Sequence, residues 1–150
     1  MTVHTNPAVG RPSDVNLPVW VWMTYQGPMA PQDRAAVQLL GGGSLWASVQ
    51  TARPTITLSV SDPGQATVYR NCSPTGSPYS GNPAAIPPCG VTFLAPSIVG
   101  PYTITVTATW RVTYSDAAAR NVQFGPGWPP AVRTVSQPVT VREIQTVNNG

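Results

Sequence analysis

The side chains able to do chemistry are few and scattered. The acids are Asp14, Asp33, Asp62, Asp116 and Glu143, five in all, and the one histidine is His4. Glycoside hydrolysis needs two carboxylates flanking one bond, and acyl transfer needs a nucleophile with a base held beside it. Asp62, in S-D-P-G, and Asp116, ahead of small residues, read as turn residues. Asp14 falls in an aperiodic N-terminal stretch and Glu143 in a terminal strand. His4 lies in that same N-terminal stretch, a poor place for a base that must stay within hydrogen-bond reach. The expectation is a protein that is not an enzyme, with no catalytic residue and no cofactor. A calcium site needs several converging oxygen ligands, which five dispersed acids do not supply.

Cys72 and Cys89 flank a segment rich in Pro, Gly and Ser. With His4 they make three candidate zinc ligands, where a structural site takes four. A Cys72–Cys89 disulfide is therefore expected, worth about 3 kcal/mol if it acts by restricting the unfolded chain. It points to an oxidising compartment outside the cytosol. No basic segment followed by an apolar core opens the chain, so no export signal is visible and a mature or excised form is expected. No run of 18 apolar residues occurs, so no transmembrane segment is expected.

The five tryptophans and five tyrosines could stack on sugars or anchor a partner. Trp20, Trp22, Trp46 and Trp110 take strand positions, where core packing is the first expectation. Trp128 sits in F-G-P-G-W-P-P, a rigid loop that would hold it outward or fold it back as a lid. Trp20 and Trp22 alternate with Val19 and Val21 in L-P-V-W-V-W-M-T-Y, a strand apolar on both faces. Such a strand is either covered on both sides or open to a partner. The candidate partner contacts are thus Trp128, Trp20 and Trp22, with Arg120 and Arg133 at the rim.

All eight basic residues are Arg, spread singly along a chain of net charge +3. Nucleic-acid binding needs phosphates neutralised together, so no nucleic-acid surface is expected. Charged residues make up only 9% of the chain, and Thr, Ser, Gln and Asn must carry much of its solubility.

The scaffold that positions these groups is written in Tyr102 to Tyr114, Y-T-I-T-V-T-A-T-W-R-V-T-Y. Even positions are apolar or aromatic, and odd positions are Thr or Arg. A period of two makes one dry and one wet face of a strand, and no helix fits it. At roughly 3.3 Å per residue it would run about 43 Å, long enough to expect a bend or bulge. Thr55 to Ser61 alternates as cleanly, with Ile56, Leu58 and Val60 inward. Asp62-Pro63-Gly64 is a turn. Residues 33 to 40 fit a helical turn or a strand, and the all-β context favours strand. Leu45 to Thr51, Ala66 to Arg70, Val91 to Leu94, Val132 to Ser136 and Val139 to Val147 are further strands. Pro138 marks an edge or a break. The expected fold is an all-β, immunoglobulin-like sandwich of about seven to nine strands. An extended arm over residues 1–16, one domain over 17–147 and a frayed end at 148–150 complete the organisation.

Several segments carry a resemblance. They are N-L-P-V-W-V-W, P-T-I-T-L-S-V-S-D-P-G, the spaced Cys72 and Cys89, G-P-Y-T-I-T-V-T-A-T-W-R-V-T-Y and V-R-E-I-Q, in that order across residues 16 to 147. In these the chain resembles a group of actinobacterial secreted and cell-envelope proteins, some of which carry an ATP/GTP-binding label. The central part also resembles a divergent PKD-type domain. Ser61-Asp62-Pro63-Gly64 stands for that family's G-D-G turn, Val91-Thr92-Phe93 for H-T-Y, and Gly100 to Val106 for its last strand. The family's W-D-F segment has no counterpart. Nucleotide binding is not expected, since there is no G-x-x-x-x-G-K-S/T and no Lys from which to make a P-loop. The resemblance implies a secreted or envelope-associated module, a structural or adaptor piece that binds a protein partner or larger assembly. The alternative is a carbohydrate- or cell-wall-binding module.

Overall fold

The computed structural model describes residues 1–38, 40–42, 44–116, 121–123 and 130–143. The thirteen strands among them are β1 (Thr2–Asn6), β2 (Ser13–Asp14), β3 (Pro18–Thr24), β4 (Gln32–Gln38), β5 (Ser44–Thr51), β6 (Thr55–Val60) and β7 (Ala66–Arg70), then β8 (Cys89–Phe93), β9 (Tyr102–Trp110), β10 (Val112–Asp116), β11 (Asn121–Gln123), β12 (Ala131–Val139) and β13 (Val141–Arg142). A single 3-10 turn, Pro63–Gln65, is capped by the Asp62 carboxylate, which accepts from the Gly64 N–H at 3.1 Å.

The body is a β-sandwich. One sheet has the order β1-β3-β8-β7 and the other β12-β9-β6. The first supplies Val3, Val19, Val21, Met23, Val91 and Phe93 to the core, and the second supplies Ile56, Leu58, Ile104, Val106 and Ala108. The alternation in β9 is realised as expected: Ile104, Val106 and Ala108 are at most 1% exposed. On the wet face, Thr105 pairs with Ser136 at 3.0 Å and Thr107 with Thr134 at 3.2 Å, hydroxyl to hydroxyl across β12. Phe93 is fully buried and stacks on Tyr102 at 4.6 Å. Burying such a ring is worth about 1.5–3 kcal/mol. Pro138 lies in β12, an edge strand, where a missing N–H breaks no ladder bond.

One expectation is corrected. The first sixteen residues are not an arm. Thr2–Asn6 pairs along its length with β3, Val3 and Thr5 face inward, and Gln137 Nε2 donates to the Val3 carbonyl at 2.8 Å. Ser13–Asp14 pairs in parallel with Val141–Arg142, and the Arg142 side chain meets Asp14 at 2.7 Å. The strand-forming signal in T-V-H-T-N is only five residues long, too short to stand out without its distant partner. The long strand does not run unbroken to Tyr114. Thr109 pairs with Thr55 and Val112 with Thr51, so Ala52-Arg53-Pro54 stands opposite Trp110-Arg111. That extra residue, at a proline, breaks the ladder and supplies the expected irregularity.

Past this break the chain builds a third sheet, order β11-β10-β5-β4, in which β5 leads back into β6 and β9 into β10. Every residue of β4 is exposed. This sheet is an extension of the sandwich with no core of its own among the described residues.

Candidate interaction surfaces

The Cys72–Cys89 disulfide is present. The loop it closes explains the doubly apolar β3. Val19, Val21 and Met23 point into the sandwich, while Trp20 and Trp22 point the other way. The loop folds over that second face. Trp20 is 5% exposed and meets Tyr79 edge-on at 5.7 Å. Gly76 bridges to Trp22, and the Met23 N–H donates to the Thr75 carbonyl at 2.8 Å. Trp20 is therefore a packing residue under the disulfide loop. Trp22 is half-buried and stacks on the His4 ring at 5.5 Å, and the imidazole reaches the Thr24 hydroxyl at 2.9 Å.

Trp22 also lines an apolar groove of about 640 Å³ with Tyr25, Pro28, Met29, Thr75 and Pro78. Burial raises the Tyr25 phenol above its usual pKa, and its hydroxyl has no hydrogen-bond partner among the described residues. Trp110 packs on two of these residues: its ring stands edge-on to Tyr25 at 6.3 Å and its indole N–H donates to the Met29 carbonyl at 3.0 Å. Arg133, in β12 opposite Ala108, is exposed and apart from this groove's lining. Trp128 and Arg120 lie outside the described residues.

The extension sheet holds a surface that the sequence reading missed. Register puts Gln32, Arg34, Ala36 and Gln38 on one face with Ser44, Trp46, Ser48 and Gln50, and with Thr113 and Ser115 of β10. The opposite parity carries Ala35, Val37, Leu45, Ala47, Val49 and Val112, with Asp33 and Thr51 at its end. Val37, Leu45 and Val49 are 65%, 57% and 41% exposed. On the polar face the Arg34 guanidinium lies 4.5 Å from the centroid of the Trp46 ring. Beside it opens a cleft of about 420 Å³ lined by Gln32, Asp33, Arg34, Trp46, Ser48, Gln50 and Ser115. Ser48 and Ser115 are hydrogen-bonded at 2.8 Å across β5 and β10. The signal was there in Q-D-R-A-A-V-Q and S-L-W-A-S-V-Q, mostly polar at one parity and mostly apolar at the other, once both are read as paired strands.

Three of the acids have local structural partners. Asp14 meets Arg142, Asp33 accepts from the Arg34 N–H at 2.8 Å, and Asp62 caps its turn. Among the described residues no three His, Cys, Asp or Glu side chains gather as a metal site. No described helix is long and apolar enough to cross a membrane. Comparison with protein-family models, with characterised protein sequences and with solved structures finds no match to this chain.

Proposed function

We propose that the chain is a non-catalytic interaction module, an adaptor or structural piece of a larger extracytoplasmic assembly, and that it contacts a protein partner through the extension sheet. The observation that carries this reading is the apolar face of Ala35, Val37, Leu45, Ala47 and Val49 beside the edge of β4, which is unpaired among the described residues. A half-apolar antiparallel sheet normally lays that face on something. Natural edges are blunted by charge, proline or bulges; β4 has charges only at its start, Asp33 and Arg34, and Ala35–Gln38 has none of these. An edge of free N–H and C=O groups is matched by a peptide backbone, which favours a protein strand over a lipid or a glycan on this side. The disulfide fits an oxidising compartment. An immunoglobulin-like, PKD-type identity for the sandwich belongs to the same proposal.

The test compares the wild-type chain with a Val37→Glu/Leu45→Glu variant as bait in envelope and culture-supernatant extracts of the source cells, with captured proteins identified by mass spectrometry. One protein should be held by the wild type and lost by the variant, with unchanged thermal stability and with hydrogen-exchange protection appearing in Gln32–Gln38. Identical capture by both, or capture with no protection of β4, sinks the reading.

A further inference from the structure

We infer that the polar face of the extension sheet is a saccharide site, selective for sugars bearing a carboxylate, built on the Arg34–Trp46 stack. This goes beyond the adaptor reading and uses the opposite face of the sheet. The cleft's volume, about 420 Å³, falls among small-molecule sites, roughly 300–1,000 Å³. Four neutral-polar side chains, Gln32, Ser48, Gln50 and Ser115, surround one aromatic, and Asp33 and Arg34 are its two charges; a carboxylate ligand must engage Arg34 on the side away from Asp33. Gln32 and Gln50 each offer both amide donors and a carbonyl acceptor, and the Ser48–Ser115 pair keeps lone pairs beyond its own bond. That is the complement of a ring of hydroxyls, each of which donates and accepts.

Trp46 gives the C–H face of a sugar an apolar surface. Arg34 gives the selectivity. A guanidinium whose central carbon lies over an indole ring keeps N–H groups for other partners, and its fork matches a carboxylate with two parallel bonds. Stacking also fixes the side chain in advance, so less conformational freedom is lost on binding. The strands that carry these groups are paired across β4, β5 and β10, so the constellation rests on a sheet rather than on a loop. A polyanion such as nucleic acid is disfavoured, because Arg34 is the one basic residue lining the cleft.

The probes are trigalacturonate and the neutral galactotriose, titrated by tryptophan fluorescence and by calorimetry. The wild type should bind trigalacturonate with a sub-millimolar Kd, about tenfold more tightly than the neutral sugar, with the preference fading as salt rises. Arg34→Lys should lose that preference while still binding the neutral sugar. Trp46→Ala should lose both. These residues are at the surface, and circular dichroism and melting should match the wild type. Val37→Glu/Leu45→Glu should bind the sugars unchanged, which separates this site from the adaptor face. No binding of either sugar, equal binding of the two, or an undiminished preference in Arg34→Lys would each overturn the inference.

Discussion

A Cβ placed on Gly76 would stand 2.8 Å from the Cα of Trp22. The disulfide loop thus lies backbone-to-backbone on β3, and only glycine permits it. Gly76 also holds φ at +67°, where an L side chain is strained. Gly81, in the same loop, has φ +86° but open space where its Cβ would go. Gly81→Ala should therefore cost about 1–2 kcal/mol, the strain alone. Gly76→Ala should cost clearly more and shift tryptophan emission to the red as the loop lifts. Equal losses in denaturant melts of the two variants would show that the loop does not seal against β3.

The same loop is what the disulfide holds in place. Cys89 is 1% exposed, at the start of β8, and Trp20 lies under the span that the bond closes. Cys72→Ser/Cys89→Ser should lose about 3 kcal/mol, the entropy that the cross-link removes from the unfolded chain. Acrylamide should quench tryptophan fluorescence more strongly in the variant, because Trp20 and Trp22 lose their cover. A variant as stable as the wild type would remove the disulfide from the architecture's support.

The strand that organises the sandwich supplies its own control. Trp110 is half-buried, donates to the Met29 carbonyl and packs on Tyr25, so Trp110→Ala should cost about 3 kcal/mol. Thr107→Ala loses one exposed hydroxyl pair with Thr134 and should cost less than about 1 kcal/mol. Urea melts of the two variants check this. Comparable losses would mean that the two faces of β9 are misassigned.

How much of this could be read from the sequence follows from where each signal resides. Tyr102 to Trp110 was legible because its period of two is local and strict. Its end was not, because the break lies opposite Ala52-Arg53-Pro54, the unpaired link between β5 and β6. Thr2–Asn6 was missed because its pairing lies about twenty residues away, at Trp20–Thr24. Trp20 and Trp22 look alike in sequence, and only the fold of the loop makes one buried and the other half-exposed. Trp46 was read as core because strand tryptophans usually are. Its partial exposure follows from a sheet that outruns the sandwich, a tertiary fact with no local mark. The Arg34–Trp46 contact is diagonal between strands and depends on the register of Ala36 with Trp46.

Tyr25 makes the chain's alkaline behaviour readable at one residue. There is no Lys, and both cysteines are bonded. No lysine amine and no free thiol therefore overlaps the titration of the Tyr25 phenol. Burial raises the Tyr25 phenol, so the folded state holds its proton at a pH where the unfolded chain has released it. Folding then binds a proton on balance, and stability that is constant below about pH 10 must fall as pH rises through the raised value. Absorbance at 295 nm should show a late step in native protein, the Tyr25 phenol ionising above the ordinary tyrosine range. Tyr25→Phe should remove that late step and flatten the alkaline fall in stability. At neutral pH the same variant should be as stable as the wild type or more so, because the hydroxyl it deletes is buried without a partner among the described residues. A Phe variant that is less stable at neutral pH would mean that the hydroxyl is bonded in solution, and that the groove beside Trp22 and Met29 is wetter than its apolar lining implies.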